Sequence, residues 1–227
     1  MNNILILHGW GSRAKNWSRV KELLENQGYK VFVPDLPGFG ENSPLSRAWA
    51  IDDYVEWVSD FCEKNNLSQF FLLGHSFGGG LAIKYTLKYP EKIKKLFLVA
   101  PAIRRKKTFK KEILKKLSVF FPKLSFLRKI FYRLLFLKSD YPYVQGGIMK
   151  ETYLRVIKED LSDNLSNISI STVIIWGEKD NVTPLKDAYL INKEIKGSKL
   201  EIIKGGRHVP NMETPEILAE KIKEFLK

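Results

Sequence analysis

Short apolar runs alternate along this chain with longer stretches of helical spacing. The runs cover residues 4–7, 30–34, 70–73, 95–99, 172–176 and 199–203 and are rich in Ile, Leu, Val and Phe. Because they are mostly apolar rather than alternating, they predict strands buried on both faces, as in a parallel sheet covered by helices. Between them, residues 17–27, 51–65, 78–88, 184–195 and 214–226 carry apolar side chains on one helical face. Pro90 closes the third of these stretches, and Pro215 opens the last where proline fits the first helical turn. The alternation predicts a doubly wound α/β domain.

One interval breaks the rhythm. About seventy residues separate the fourth and fifth strands, where a helix connection needs far fewer. Within it Phe109, Ile113, Leu114, Leu117 and Phe120/Phe121 share one helical face, and Leu124, Leu127, Phe131, Leu134 and Leu135 share another. Pro122 separates the two, and a third helix is expected over residues 150–161. The large apolar side chains argue for an inserted helical cap rather than a linker. The expected organisation is a core of residues 1–101 and 171–227, with a cap over 102–170.

The chemistry concentrates in the turns after the strands. Gly74-His75-Ser76-Phe77-Gly78-Gly79 follows a predicted strand and opens a predicted helix. That is the setting of a nucleophile elbow, in which Ser76 sits on a turn too tight for side chains two residues to either side. The helix N-terminus adds partial positive charge near a developing oxyanion. His8-Gly9-Trp10-Gly11-Ser12 follows the first strand and flanks the expected switch point of the sheet. The backbone N–H groups of Trp10 and Phe77 are therefore candidates for an oxyanion hole.

A serine hydroxyl needs a neighbouring base. Of three histidines, His8 ends a strand, and His75 neighbours Ser76 on the strained turn, so its side chain should point away. His208, in the loop after the last strand, remains as the base. Asp180, in Trp176-Gly177-Glu178-Lys179-Asp180, is the favoured acid, in the chain order Ser, Asp, His. Glu178 and Asp187 are the rival carboxylates; Asp187 should fall within the following helix and Glu178 sits close to the strand end.

Taken with Asp35-Leu36-Pro37-Gly38-Phe39-Gly40-Glu41-Asn42-Ser43 and Gly206-Arg207-His208-Val209-Pro210, these motifs resemble the alpha/beta-hydrolase family. Within the family the chain resembles small microbial carboxylesterases. The resemblance covers nearly the whole chain outside the cap. It implies that Trp10 and Phe77 supply the oxyanion N–H groups and that residues 35–43 form a structural turn. Most members carry two further strands before the first motif, so a six-stranded sheet of order 2-1-3-4-5-6 is expected here. Ser76 sets the chain apart from family members with an aspartate or cysteine at the elbow.

The implied activity is hydrolysis of carboxylic esters of small to medium apolar acyl groups through an acyl-enzyme. Other reactions of the same triad (C–C bond hydrolysis, thioester cleavage or a lyase step) and a lipid- or polyanion-binding protein with a vestigial triad stay open. No cofactor is expected, and one cysteine with three scattered histidines offers no metal site.

Composition adds two points. The single cysteine, Cys62, fits a reducing compartment and has the helical spacing of a buried structural thiol. No signal peptide or spanning stretch is evident, so a soluble, cytoplasmic protein is expected. The net charge of +13 is local: residues 104–138 hold thirteen Lys and Arg against Glu112 alone, and the remainder balances to +1. No nucleic-acid signature accompanies this charge. It reads as a solvated face or as a patch for peripheral contact with an anionic membrane. Oligomeric state is left open.

Overall fold

The computed structural model describes residues 2–40, 44–104 and 147–226. Six parallel strands form one sheet of order β2-β1-β3-β4-β5-β6. They are β1 (Asn3–Leu7), β2 (Lys30–Phe32), β3 (Phe70–His75), β4 (Ile93–Val99), β5 (Thr172–Gly177) and β6 (Lys199–Ile203). The helices are α1 (Ser18–Glu25), α2 (Ile51–Lys64), α3 (Phe77–Lys88), α4 (Ile148–Val156), α5 (Leu185–Glu194), α6 (Pro210–Glu213) and α7 (Pro215–Glu224). The parallel direction agrees with the expectation from the apolar runs, and the order with the one the family resemblance implies.

Period-two geometry sends successive strand side chains to opposite faces, and both faces are buried. Leu5, Leu7, Leu72, Leu96, Leu98, Ile174 and Trp176 join one core with residues of α2, α3 and α5. Ile4, Ile6, Phe71, Leu73, Phe97, Val99, Val173 and Ile175 join the other, closed by Val20 and Leu24 of α1 and by Leu218 and Ile222 of α7. Strands so enclosed show no polar alternation, which is why they read as continuous apolar runs. Truncating one of these leucines to alanine costs about 2–5 kcal/mol. Cys62 lies in the first core, fully buried, and burial pushes its thiol up to about 11.

Chain order reverses between β1 and β3. Leu7 pairs with Gly74, so the turn leaving β1 and the turn leaving β3 emerge side by side at the carboxyl edge. Gly177 pairs with Ile203, which brings the turns after β5 and β6 together in the same way. All four candidate loops therefore meet along one edge of the sheet.

The expected cap helices within residues 109–137 lie outside the described residues. The third is observed as α4, from Ile148 to Val156, and it stops earlier than its apolar pattern suggested. A 3-10 turn over Ser162–Asn167 leads from it towards β5. The chain leaves the core and returns to it at one point: Leu161 N–H donates to the Ile103 carbonyl at 2.8 Å. Arg104, the first cation of the basic segment, pairs with the buried Asp187 of α5. α4 docks on the loop before α2, where Trp49 N–H donates to Thr152 Oγ1 at 3.1 Å and Arg155 donates to the Ala48 carbonyl at 3.1 Å. Among the described residues no helix is long and apolar enough to cross a membrane.

Candidate active site

Ser76 links β3 to α3 with φ +51° and ψ −116°, a backbone conformation that costs a non-glycine residue about 1–3 kcal/mol. Its surroundings over-determine it. Ser76 N–H donates to the Val99 carbonyl at 3.0 Å, and its own carbonyl accepts from Gly79, Gly80 and Ala102 at 2.9, 3.1 and 2.9 Å. The flanking glycines are required, though not for one shared reason. A Cβ on Gly74 would lie 2.3 Å from the Gly78 carbonyl oxygen, the collision across the turn that the motif predicts. A Cβ on Gly78 would instead strike the end of β1 and the start of the loop after it, 2.2 Å from Leu7 O and 2.5 Å from His8 O.

His208 lies beyond β6 in the loop before α6, with its ring between two partners. Nε2 stands 3.0 Å from Ser76 Oγ, and Nδ1 stands 2.8 Å from Asp180 Oδ2. A carboxylate only accepts, so Nδ1 carries the proton and Nε2 presents its lone pair to the serine hydroxyl. The Asp180 side chain is wholly buried. Burial alone would raise its pKa, but hydrogen bonds from His208, Thr183 and Val182 outweigh that, and the carboxyl is held below its ordinary range. Val182 N–H and Thr183 N–H donate to Oδ1 at 2.8 and 2.9 Å, and Thr183 Oγ1 donates to Oδ2 at 2.8 Å.

The rival carboxylates are occupied elsewhere. Glu178 accepts from Gly205 N–H at 2.8 Å and so braces the histidine loop from outside. Asp187, within α5 as expected, binds Arg104. Asp180 is thus the carboxylate that the fold brings to His208.

The loop after β1 packs directly on the elbow. A Cβ on Gly9 would lie 3.3 Å from Ser76 Cβ, so the chain entering Trp10 passes against the serine. Trp10 and Phe77 rings meet edge to face at 5.4 Å. Trp10 also contacts Phe39 at 4.8 Å and Tyr153 of α4 at 5.1 Å. An aromatic wall therefore rises beside Ser76, built from the loops after β1 and β2, the start of α3, and α4.

The other two histidines are buried and neutral. His8 donates from Nδ1 to the Gly9 carbonyl at 2.9 Å and accepts Leu36 N–H at Nε2, also at 2.9 Å. Burial holds its pKa below the ordinary value. Asp35 accepts Ala14 N–H at 2.6 Å, a structural bond that suits the predicted turn. Thr183 is the partner that motif reading passed over. The spacing Asp-x-x-Thr, in which an aspartate accepts from the amide three residues on, was its only signal.

Known proteins share this arrangement of strands and loops. The sequence profile described as alpha/beta hydrolase fold matches residues 2–144. The chain belongs to the alpha/beta-hydrolase family. It is 30% identical to "Putative esterase/lipase 2" of Mycoplasma genitalium, over 99% of this chain and 89% of that protein. It is 28% identical to "Pimeloyl-[acyl-carrier protein] methyl ester esterase" of Wigglesworthia glossinidia brevipalpis, over 99% and 93%. The alpha/beta-hydrolase fold is also that of an esterase from Exiguobacterium antarcticum, which superposes with a TM-score of 0.77 at 22% identity, over 99% of this chain and 91% of that one. Among the described residues no group of His, Cys, Asp or Glu is placed to hold a metal ion.

Proposed function

We propose that the protein is a serine hydrolase that cleaves carboxylic esters of small to medium apolar acids through an acyl-enzyme. Ester hydrolysis in general rests on the family and on relatives named as esterases and lipases. The single observation behind the serine mechanism is the continuous chain of contacts Ser76 Oγ, His208 ring, Asp180 carboxylate, at 3.0 and 2.8 Å.

In this reading Ser76 Oγ attacks the ester carbonyl carbon while His208 Nε2 takes the hydroxyl proton. Ionised Asp180 stabilises the imidazolium and keeps its Nδ1 proton in place. The carbonyl oxygen becomes an oxyanion, to which the N–H groups of Trp10 and Phe77 donate. The tetrahedral intermediate collapses, the C–O bond to the alcohol breaks, and His208 returns its proton to the leaving oxygen. Water then attacks the acyl-enzyme with His208 again as base, and the carboxylic acid leaves with Ser76 restored. The aromatic wall of Trp10, Phe39, Phe77 and Tyr153 suits apolar acyl groups, because such rings attract hydrocarbon and hold no charge partner for an anionic one. Residues 102–170, of which α4 supplies Tyr153 to that wall, serve as the cap.

A fluorophosphonate probe tests the nucleophile. The wild type becomes labelled at Ser76, and Ser76→Ala loses both labelling and ester turnover while its thermal transition stays cooperative. An alanine variant that keeps most of the wild-type turnover sinks the proposal. A series of p-nitrophenyl esters of increasing chain length then measures the acyl preference.

A further inference from the structure

His75 stands directly before Ser76, and the proposed mechanism gives it no role. Its ring is 3% exposed and fills a gap among the three loops of the site. Nε2 faces the backbone carbonyl of His208 at 2.7 Å, so it donates its proton there. The ring lies 5.1 Å from the His208 ring and meets Trp17 edge-on at 5.9 Å. Gly9 passes so close that a Cβ there would come within 3.0 Å of His75 Nδ1. Nδ1 itself is buried and has no hydrogen-bond partner among the described residues.

A buried acceptor left without a partner costs about 1–3 kcal/mol. An apolar ring of the same size would avoid that cost and would also lose the Nε2 donor. The donor's target is the residue whose side chain must meet Ser76 and Asp180 together. Two adjacent residues of the elbow thus hold one histidine at two points, Ser76 at its ring and His75 at its backbone. The rest of the loop is fixed further off, through Lys179 N–H to Gly206 O at 2.8 Å and Asn211 Nδ2 to Asn16 O at 3.0 Å.

We infer that His75 is a positioning residue, whose Nε2–H bond to the His208 carbonyl sets the imidazole between Ser76 and Asp180. The inference rests on the serine-hydrolase reading above. Burial, together with the nearby His208, pushes the His75 pKa down to about 3, so the donor keeps one proton through the range in which His208 must exchange its own.

Glutamine and asparagine separate this role from mere packing. The Gln amide nitrogen reaches the place of Nε2, whereas the shorter Asn places its nitrogen near Nδ1 and cannot reach the His208 carbonyl. His75→Gln is expected to keep kcat within about threefold of wild type. His75→Asn and His75→Phe are expected to lose roughly 30-fold in kcat with KM for a short ester little changed, since misplacing a catalytic group by about 1 Å costs on the order of a hundredfold. The acid limb of their kcat/KM profiles should move as well, because the histidine no longer sits squarely against Asp180. Thermal transitions are recorded for all three. Equal activity of the Gln and Asn variants, or losses that follow the fall in Tm alone, would overturn the assignment. Probe labelling of the wild type keeps the two claims apart. A labelled wild type with indistinguishable Gln and Asn variants removes the role of His75 only, whereas an unlabelled wild type removes the serine-hydrolase reading and this inference together.

Discussion

The elbow that carries Ser76 hangs from the central strand β3, all six residues of which are buried. The loop that carries His208 leaves the edge strand β6, which is buried only at Ile203. The two side chains meet at 3.0 Å, but the means that bring them there differ. At the elbow the constraint is steric and lies in the backbone, with glycines that admit no Cβ and a carbonyl that accepts three amides. At the histidine the constraint is polar and lies in side chains: Asp180, Thr183, Glu178 and His75 each hold part of the loop. A site of this kind should fail abruptly when its steric half is altered and by degrees when its polar half is.

The largest effect is expected at Gly78. A Cβ there would press on Leu7 O and His8 O, backbone atoms at the end of β1 and the start of the loop after it, where Leu7 pairs with Gly74 of β3. That end of β1 cannot shift without disturbing its pairing with β3 and the loop that begins at His8, so Gly78→Ala is expected to cost more than about 4 kcal/mol, in the range where single changes abolish folding. Circular dichroism and thermal melting check this. A variant that melts within a few degrees of wild type would contradict the steric account of the elbow.

On the polar side the fold should survive and the rate should not. His208→Ala is expected to lower kcat by up to about 10⁴-fold, and Asp180→Asn somewhat less, because it leaves the imidazole in the wrong tautomer. Glu178→Gln keeps an acceptor for Gly205 N–H and should change kcat by less than about threefold. Steady-state kinetics on one short ester compares all three. If Glu178→Gln is crippling while Asp180→Asn is silent, Glu178 is the acid and the contact at 2.8 Å is incidental.

The same contrast explains what the sequence could reveal. Ser76 and its glycines were legible because sterics restrict residue type at fixed spacing, and a motif is the record of that restriction. The strands themselves followed from the apolar runs, since burial on both faces leaves little polar alternation, whereas their order came from the resemblance to the family. Asp180 could be separated from Glu178 and Asp187 only by a preference, because a polar contact across loops constrains distance and not sequence spacing. His75 was set aside because its ring was expected to point away from the serine's; it does turn away from Ser76, and it reaches His208's backbone. Contacts between a side chain and a distant carbonyl leave no pattern in the chain. α4 ended earlier than its apolar spacing suggested, in a segment held by contacts from Thr152 and Arg155 to Trp49 and Ala48, which sequence spacing does not record.

The most gradual effect expected is a loss of stability in acid, and its pH window separates the buried histidines from the carboxylate. His75 and His8 are both buried and neutral, with pKa values below the ordinary 6.5; that of His75 is pushed down to about 3. Below pH 6.5 the unfolded chain binds protons at these positions that the native state refuses. Unfolding is then favoured as pH falls, by up to about 1.4 kcal/mol per pH unit for each histidine. Asp180, at the polar end, is also held below its ordinary 3.8, so its contribution is intact above that value and is lost only as pH falls through it. Acid should therefore act in two windows: one opening near pH 6.5 from the buried histidines, and a second below about pH 4 from the carboxylate. Urea unfolding at half-unit steps from pH 7.5 to 3.5 measures both. His75→Gln should flatten the upper window while leaving the lower one in place. A stability that stays level from pH 7 to pH 4.5 in the wild type would mean that these histidines accept protons in the folded state, and the elbow would then be less tightly closed than its packing indicates.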